Sequence, residues 1–201
     1  RIWYDKPASY WEEALPVGNG RIAAMVFGDP QLEQIQLNEE TVSAGSPYQN
    51  YNEEAKTALP EMRRLIFEGK YEEAQNMAAT KILSQVGNEM PYQTVGRLNI
   101  RYQDHKKVNN YYRDLDISNA VAVTRYEVDG VEFTEETFAS FTDQLVIRHI
   151  KASKPGAINC ELFFNTPMRD PKRSIYGKKG LRLEGITHGS RYFPGKVHYC
   201  A

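Results

Sequence analysis

Asp129 and Gly130 constrain this chain more than any other pair. They separate two runs, 120–128 and 131–138, in which apolar and polar residues alternate. An Asp-Gly link of two residues suits a type I′ turn, with positive φ at both positions, and so closes a β-hairpin. The register follows from it: Val128 pairs with Val131 and Tyr126 with Phe133 on one face. The period of two holds from Gly96 onward, with Leu98, Ile100 and Tyr102 alternating with polar partners. The same pattern predicts a strand pair, 144–152 with 156–165, across Lys154-Pro155-Gly156. A loop over 168–180 and two further strands at 181–185 and 196–201 complete the expectation. A last strand with neither turn nor cap leaves an edge open, as in a domain cut from a longer chain.

The first half reads differently. Residues 21–27 form an apolar run between Gly20 and Gly28, which fits a buried strand. Asp29-Pro30 marks a turn, and residues 34–37 alternate as a second strand. Over 53–84 the spacing becomes helical. Asn52 is placed to cap, and Glu53 and Glu54 suit the positive end of a helix. Pro60 lacks an amide proton, so the spacing predicts a turn at 53–58 and a helix from Pro60 to about Glu68, buried through Leu59, Met62 and Ile66. Gly69 stops it. A second helix carries Tyr71, Ala74, Ala78 and Ile82 on one face. The fold class is mainly β, an antiparallel β-sandwich with a helical hairpin inserted near residues 53–84.

Charge excludes one class of function. Lys plus Arg number 25 and Asp plus Glu 26, so there is no basic excess for nucleic acid. No run of 18 apolar residues is long enough for a bilayer helix. Cys160 and Cys200 are too few for a disulfide framework and belong to no metal-type motif. A bridge between strands is open to them, and two free buried thiols fit better.

Few residues carry a chemical signature. Glu-Glu pairs occur at 12–13, 39–40, 53–54, 72–73 and 135–136. A glycosidase needs two carboxyls facing one sugar, whereas strand neighbours point to opposite faces. His105, His149, His188 and His198 fall in no zinc spacing. GKYEEAQ resembles one helix of a tetratricopeptide repeat, without the recurrence a solenoid requires. In PVGNGR (16–21), Asn19 lies between glycines in a tight turn that could present it, or Arg21, to a ligand. LNEETVSAGSP (37–47) sends Asn38, Glu39, Glu40, Thr41 and Ser43 from a strand end into a loop. That is where sites tend to lie, and plain turn chemistry fits equally. Tyr48, Tyr51, Tyr92, Tyr111 and Tyr112 could stack on sugars, or serve only as good strand residues.

Five segments in order resemble a known family: WEEALPVGNGRIAAMVFG (11–28), EQIQLNEETVSAGSPYQNYN (33–52), LPEMRRLIFEGKYEEAQNMA (59–78), YQTVGRLNIRY (92–102) and YYRDLDISNAVAVTRYEVDGVEFTEETFAS (111–140). Together they are similar to the N-terminal β-domain of glycoside hydrolase family 95, the inverting α-L-fucosidases. The resemblance implies one β-sandwich domain of the super-sandwich type over 1–201, ending before a catalytic (α/α)6 barrel. It places the catalytic groups in that barrel and none in this chain. It implies no cofactor and no metal, a fucosylated or galactosyl-type glycan as substrate of the parent enzyme, and export to the periplasm or the cell exterior. The family pattern has Asp and then Leu-Trp where this chain has Glu40 and Val42-Ser43. Asn38, Glu39 and Thr41 are expected on the surface facing the catalytic domain or its sugar pocket, with Asn19 beside them. The alternatives are a free-standing carbohydrate-binding sandwich and an interaction domain built on the helical hairpin.

Overall fold

The computed structural model describes residues 1–44, 50–84, 91–189 and 194–201. Four strands precede the helices: β1 (Ile2–Tyr4), β2 (Leu15–Gly18), β3 (Ile22–Val26) and β4 (Leu32–Glu39). Helices α1 (Ala55–Phe67) and α2 (Tyr71–Met77) follow, the second running into a π-turn at Ala78–Ile82. Then come β5 (Gly96–Tyr102), β6 (Val108–Asp116), β7 (Val121–Val128), β8 (Val131–Ser140) and β9 (Leu145–Ala152). The last four are β10 (Cys160–Asn165), β11 (Arg169–Tyr176), β12 (Gly180–Ile186) and β13 (His198–Cys200).

Two five-stranded antiparallel sheets face each other. The first has the order β1-β6-β7-β8-β9 and the second β10-β5-β4-β3-β2, with a small β11-β12-β13 sheet beside them. Their alternation places Leu15, Val17, Ala24, Val26, Ile35 and Ile100 of the second sheet against Leu115 and Ala122 of the first. Tyr126, Val128 and Phe133 form a second cluster at the hairpin. There Asp129 and Gly130 have φ of 48° and 76°, and the register is Val128↔Val131 and Tyr126↔Phe133, as the turn requires. Pro16 lies on β2, an edge strand, where its missing amide proton costs no ladder bond.

The helices are an excursion between β4 and β5. Asn52 fastens them: its Oδ1 accepts from the Glu54 amide at 3.0 Å, and its Nδ2 donates to the Thr80 carbonyl at 3.1 Å. Helix α1 ends in a Schellman motif, with Lys70 N–H on the Leu65 carbonyl (2.9 Å) and Gly69 N–H on Ile66 (3.1 Å). The helix begins five residues before Pro60, which lies inside it. Pro60 and Lys56 are both exposed, so the carbonyl released by proline can turn to water. The buried residues of α1 are Ala58 and Leu65; of the expected stripe, Leu59 and Met62 are half-buried and Ile66 is exposed. On α2, Ala74 is buried as expected, whereas Tyr71 is exposed.

Three other expectations change. Strands β9 and β10 do not pair: β9 adds to β8 and β10 adds to β5, so Lys154-Pro155-Gly156 belongs to a crossover between sheets. The stretch expected as loop holds β11, whose residues are all exposed. No buried face imposed a pattern on it, and the backbone ladder with β12 holds it, with Pro171 inside the bulge between Arg169 and Lys172. Cys160 and Cys200 are both free, and Cys200 is exposed rather than buried.

Candidate functional site

Between the two sheets lies a cleft of about 820 Å3 with Leu37, Leu98, Ile150, Leu162 and Phe164 on its walls. Asn38, Glu39 and Thr41, all singled out from sequence, come together at this cleft with Arg21 and Gln144. Strand β4 delivers Asn38 and Glu39 from its last two positions, and the turn that follows delivers Thr41. Glu39 is engaged on both oxygens: Oε1 accepts from Arg21 Nε at 3.0 Å, and Oε2 accepts from the Thr41 amide at 2.8 Å and from its hydroxyl. Partial burial works against the charge, but the Thr41 hydroxyl and amide and Arg21 outweigh it and hold the carboxyl below its ordinary range. Asn38 Oδ1 is buried without a hydrogen-bond partner.

Asn19 does not line the cleft. Its Oδ1 accepts from the amides of Arg21 (3.0 Å) and Ile22 (2.9 Å), shaping the turn between β2 and β3. Its Nδ2 donates to the Ser140 carbonyl at 2.8 Å and reaches Gln144 Oε1 at 3.4 Å, joining the two sheets behind the cleft.

At the inner end of the cleft lies a buried charge cluster that the sequence reading did not single out. Arg148 on β9 donates through Nη2 to Glu33 on β4 (2.7 Å) and to Glu135 on β8, and through Nη1 to Thr137 (2.7 Å). Glu33 Oε1 also accepts from the amides of Phe27 (3.1 Å) and Gly28 (2.9 Å). Glu135 Oε1 accepts from the hydroxyls of Tyr102 (2.7 Å) and Tyr126 (2.8 Å). Both carboxylates are within 1% of full burial. Burial raises the Glu33 carboxyl to about 7; Arg148 pulls it back in part, and the Glu135 charge pushes it up again. Burial also raises the Tyr102 and Tyr126 phenols. One guanidinium serving two sealed carboxylates is a clamp between sheets. It offers no open face on which an acid and a base could flank a glycosidic bond.

The signal for this cluster was strand parity. Glu33 shares its face with Ile35, Glu135 with Phe133, and Arg148 with Val146 and Ile150, so each charge stands at an inward position. Arg113 follows the same rule beside Leu115. It is fully buried, donating to the carbonyls of Lys6 (2.8 Å) and Glu13 (2.7 Å) and lying over the Tyr4 ring. Of the tyrosines considered for stacking, Tyr111 donates its hydroxyl to the Gly28 carbonyl and Tyr112 stacks with Trp3; Tyr48 lies outside the described residues. Among the described residues, no three His, Cys, Asp or Glu gather as a metal site would need. No helix among them is long and apolar enough to cross a membrane.

The architecture is a two-sheet antiparallel sandwich with a helical hairpin between the neighbouring strands β4 and β5 and a buried charge cluster inside. Residues 2–199 match the family described as glycosyl hydrolase family 65, N-terminal domain, and the chain belongs to that family. It is a fucosidase-like N-terminal domain. It is 37% identical over 171 residues to "Alpha-L-fucosidase 2" of Arabidopsis thaliana, a match covering 84% of this chain and 20% of that protein. It is 26% identical over 162 residues to "Probable alpha-fucosidase A" of Aspergillus niger, covering 76% of this chain and 20% of the relative. The protein of the same name from Aspergillus oryzae is 24% identical over 162 residues, covering 76% and 22%. The chain thus spans about a fifth of the length of these relatives.

Proposed function

We propose that this chain is the non-catalytic N-terminal domain of an α-L-fucosidase-like glycoside hydrolase. In this reading a catalytic (α/α)6 domain of the same polypeptide cleaves a fucosylated or galactosyl-type glycan with inversion, in an exported enzyme. The mouth of the intersheet cleft, with Asn38, Glu39 and Thr41 and with Asn19 behind it, faces that domain and helps to wall its sugar pocket. The observation that carries the reading is the match to relatives named as fucosidases that are about four times as long. The buried carboxylates support it as well. Glu33 and Glu135 are committed to Arg148, and inversion needs one carboxyl at the leaving oxygen and another with room for a water on the opposite face.

Hydrolysis of an aryl α-L-fucoside and an aryl galactoside separates the parts of this reading. The purified 201-residue chain is expected to turn over neither, whereas the longer parent polypeptide hydrolyses at least one. Turnover by the 201-residue chain overturns the assignment of chemistry to another domain. In the parent, Glu39→Ala is expected to raise KM with little change in kcat, since Glu39 shapes the wall rather than the reacting bond.

A further inference from the structure

The outward face of the second sheet carries a different cleft, of about 480 Å3, built on β4, β5 and β10. The pairing register lays out a grid of side chains there. Gln34, Asn99 and Phe163 form one row across the three strands, and Gln36, Arg97 and Asn165 form the next. Opposed side chains in a row are about 5 Å apart and rows about 7 Å, the scale of a pyranose ring and its hydroxyls. Each amide offers both a donor and an acceptor, as a hydroxyl does. The floor is preset: Asn99 is only 3% exposed, and its Nδ2 donates to the carbonyls of Arg97 (3.2 Å) and Phe163 (3.3 Å). Its Oδ1 has no hydrogen-bond partner among the described residues and stays open as an acceptor.

Charge on this face is answered only in part. Arg97 Nη1 donates to Gln34 Oε1 at 2.8 Å, and Arg101 pairs with Glu161 at 2.9 Å while lying over the Phe163 ring. The outward face of the first sheet is unlike it, with Arg125, Glu136, His149 and Lys151 at the corresponding positions. A cleft of amides beside one aromatic ring, with one guanidinium paired to a carboxylate and the other held by a neutral amide, suits a ligand rich in hydroxyls.

We propose that this face is a saccharide-binding subsite for a neutral hexose unit of a glycan, with Gln34, Gln36 and Asn99 meeting its hydroxyls and Phe163, its ring held by Arg101, forming the apolar side of the cleft. It is separate from the intersheet cleft and does not depend on the reaction proposed above. Amide chemical-shift titration of the 15N-labelled 201-residue chain with 2′-fucosyllactose tests it, with glycerol as a hydroxyl-only control. Shifts confined to β4, β5 and β10 are expected, with a Kd of order 1 mM. Gln36→Ala and Phe163→Ala are each expected to weaken binding about tenfold, and Lys151→Ala on the outward face of the first sheet to leave it unchanged. A folded protein showing no shifts to about 20 mM sugar, equal shifts with glycerol, or shifts gathered elsewhere overturns it. Such a failure leaves the fucosidase-domain reading untouched, because that reading stands or falls on hydrolysis.

Discussion

The two ends of the space between the sheets solve the same problem in opposite ways. At the closed end, Glu33, Glu135, Arg148, Tyr102 and Tyr126 fill the interior with polar groups bonded to one another, and of the guanidinium nitrogens Arg148 Nε is left without a partner. At the open end, Leu98, Leu162 and Phe164 line a cleft, and Leu145 and Leu162 remain about half exposed. Buried charge is costly unless every member has its partner, so the closed end tolerates almost no change. Apolar walls facing open space contribute little until something covers them, and a contiguous exposed apolar patch marks an interaction surface. Sealed polar groups and exposed apolar walls are thereby placed at different ends of one sandwich.

The sharpest way to break this contrast is Arg148→Leu, which leaves two carboxylates sealed without their cation. A loss of about 3–5 kcal/mol in urea unfolding is expected. A loss below about 1 kcal/mol would show that the two ends matter equally. The next effect is a pH dependence. Glu33 has a folded value of about 7 against an ordinary 4.5. The folded protein therefore holds more protons between those values, and its stability falls as pH rises through that window. The loss attributable to Glu33 is about 3 kcal/mol, and Glu33→Gln is expected to flatten that part of the profile.

Gly28 probes the closed end through the backbone. Its φ is 75°, and a Cβ there would approach the Tyr111 hydroxyl to 2.7 Å and Arg113 Cδ to 2.9 Å. Gly28→Ala is expected to cost about 1–3 kcal/mol in thermal or urea unfolding. The smallest effect belongs to the open end. Leu162→Glu is expected to change stability by no more than about 0.5 kcal/mol while lowering the binding of a hydrophobic dye. A large destabilisation there would mean that the cleft is core rather than surface.

Local chemistry made much of this architecture readable in advance. Asp129-Gly130 determined its own hairpin and register because a two-residue turn leaves no freedom in pairing. Gly69 ended α1, and Asn52 was recognisable as a cap, because both act over a few residues. Pro60 misled the reading of α1: a proline on an exposed face is tolerated inside a helix when the carbonyl it abandons can reach water. Strand β11 was illegible because all its residues are exposed and no apolar alternation marks it. The partners of β9 and β10 were illegible because turn chemistry at Pro155-Gly156 cannot tell a hairpin from a crossing between sheets.

Asn38, Glu39 and Thr41 could be picked out together because they are adjacent in the chain, but Asn19 was joined to them only through Gln144, far along the sequence. The clamp lies further still from local rules, since Arg148 and Glu33 are 115 positions apart. Turns, caps and strand periodicity depend on neighbours within a few residues, so the amino-acid order by itself determined the hairpins, the helical insertion and the sandwich class. Which strands meet across the interior, which charges seal it and where it stays open depend on contacts between distant segments, and only the tertiary structure decided them.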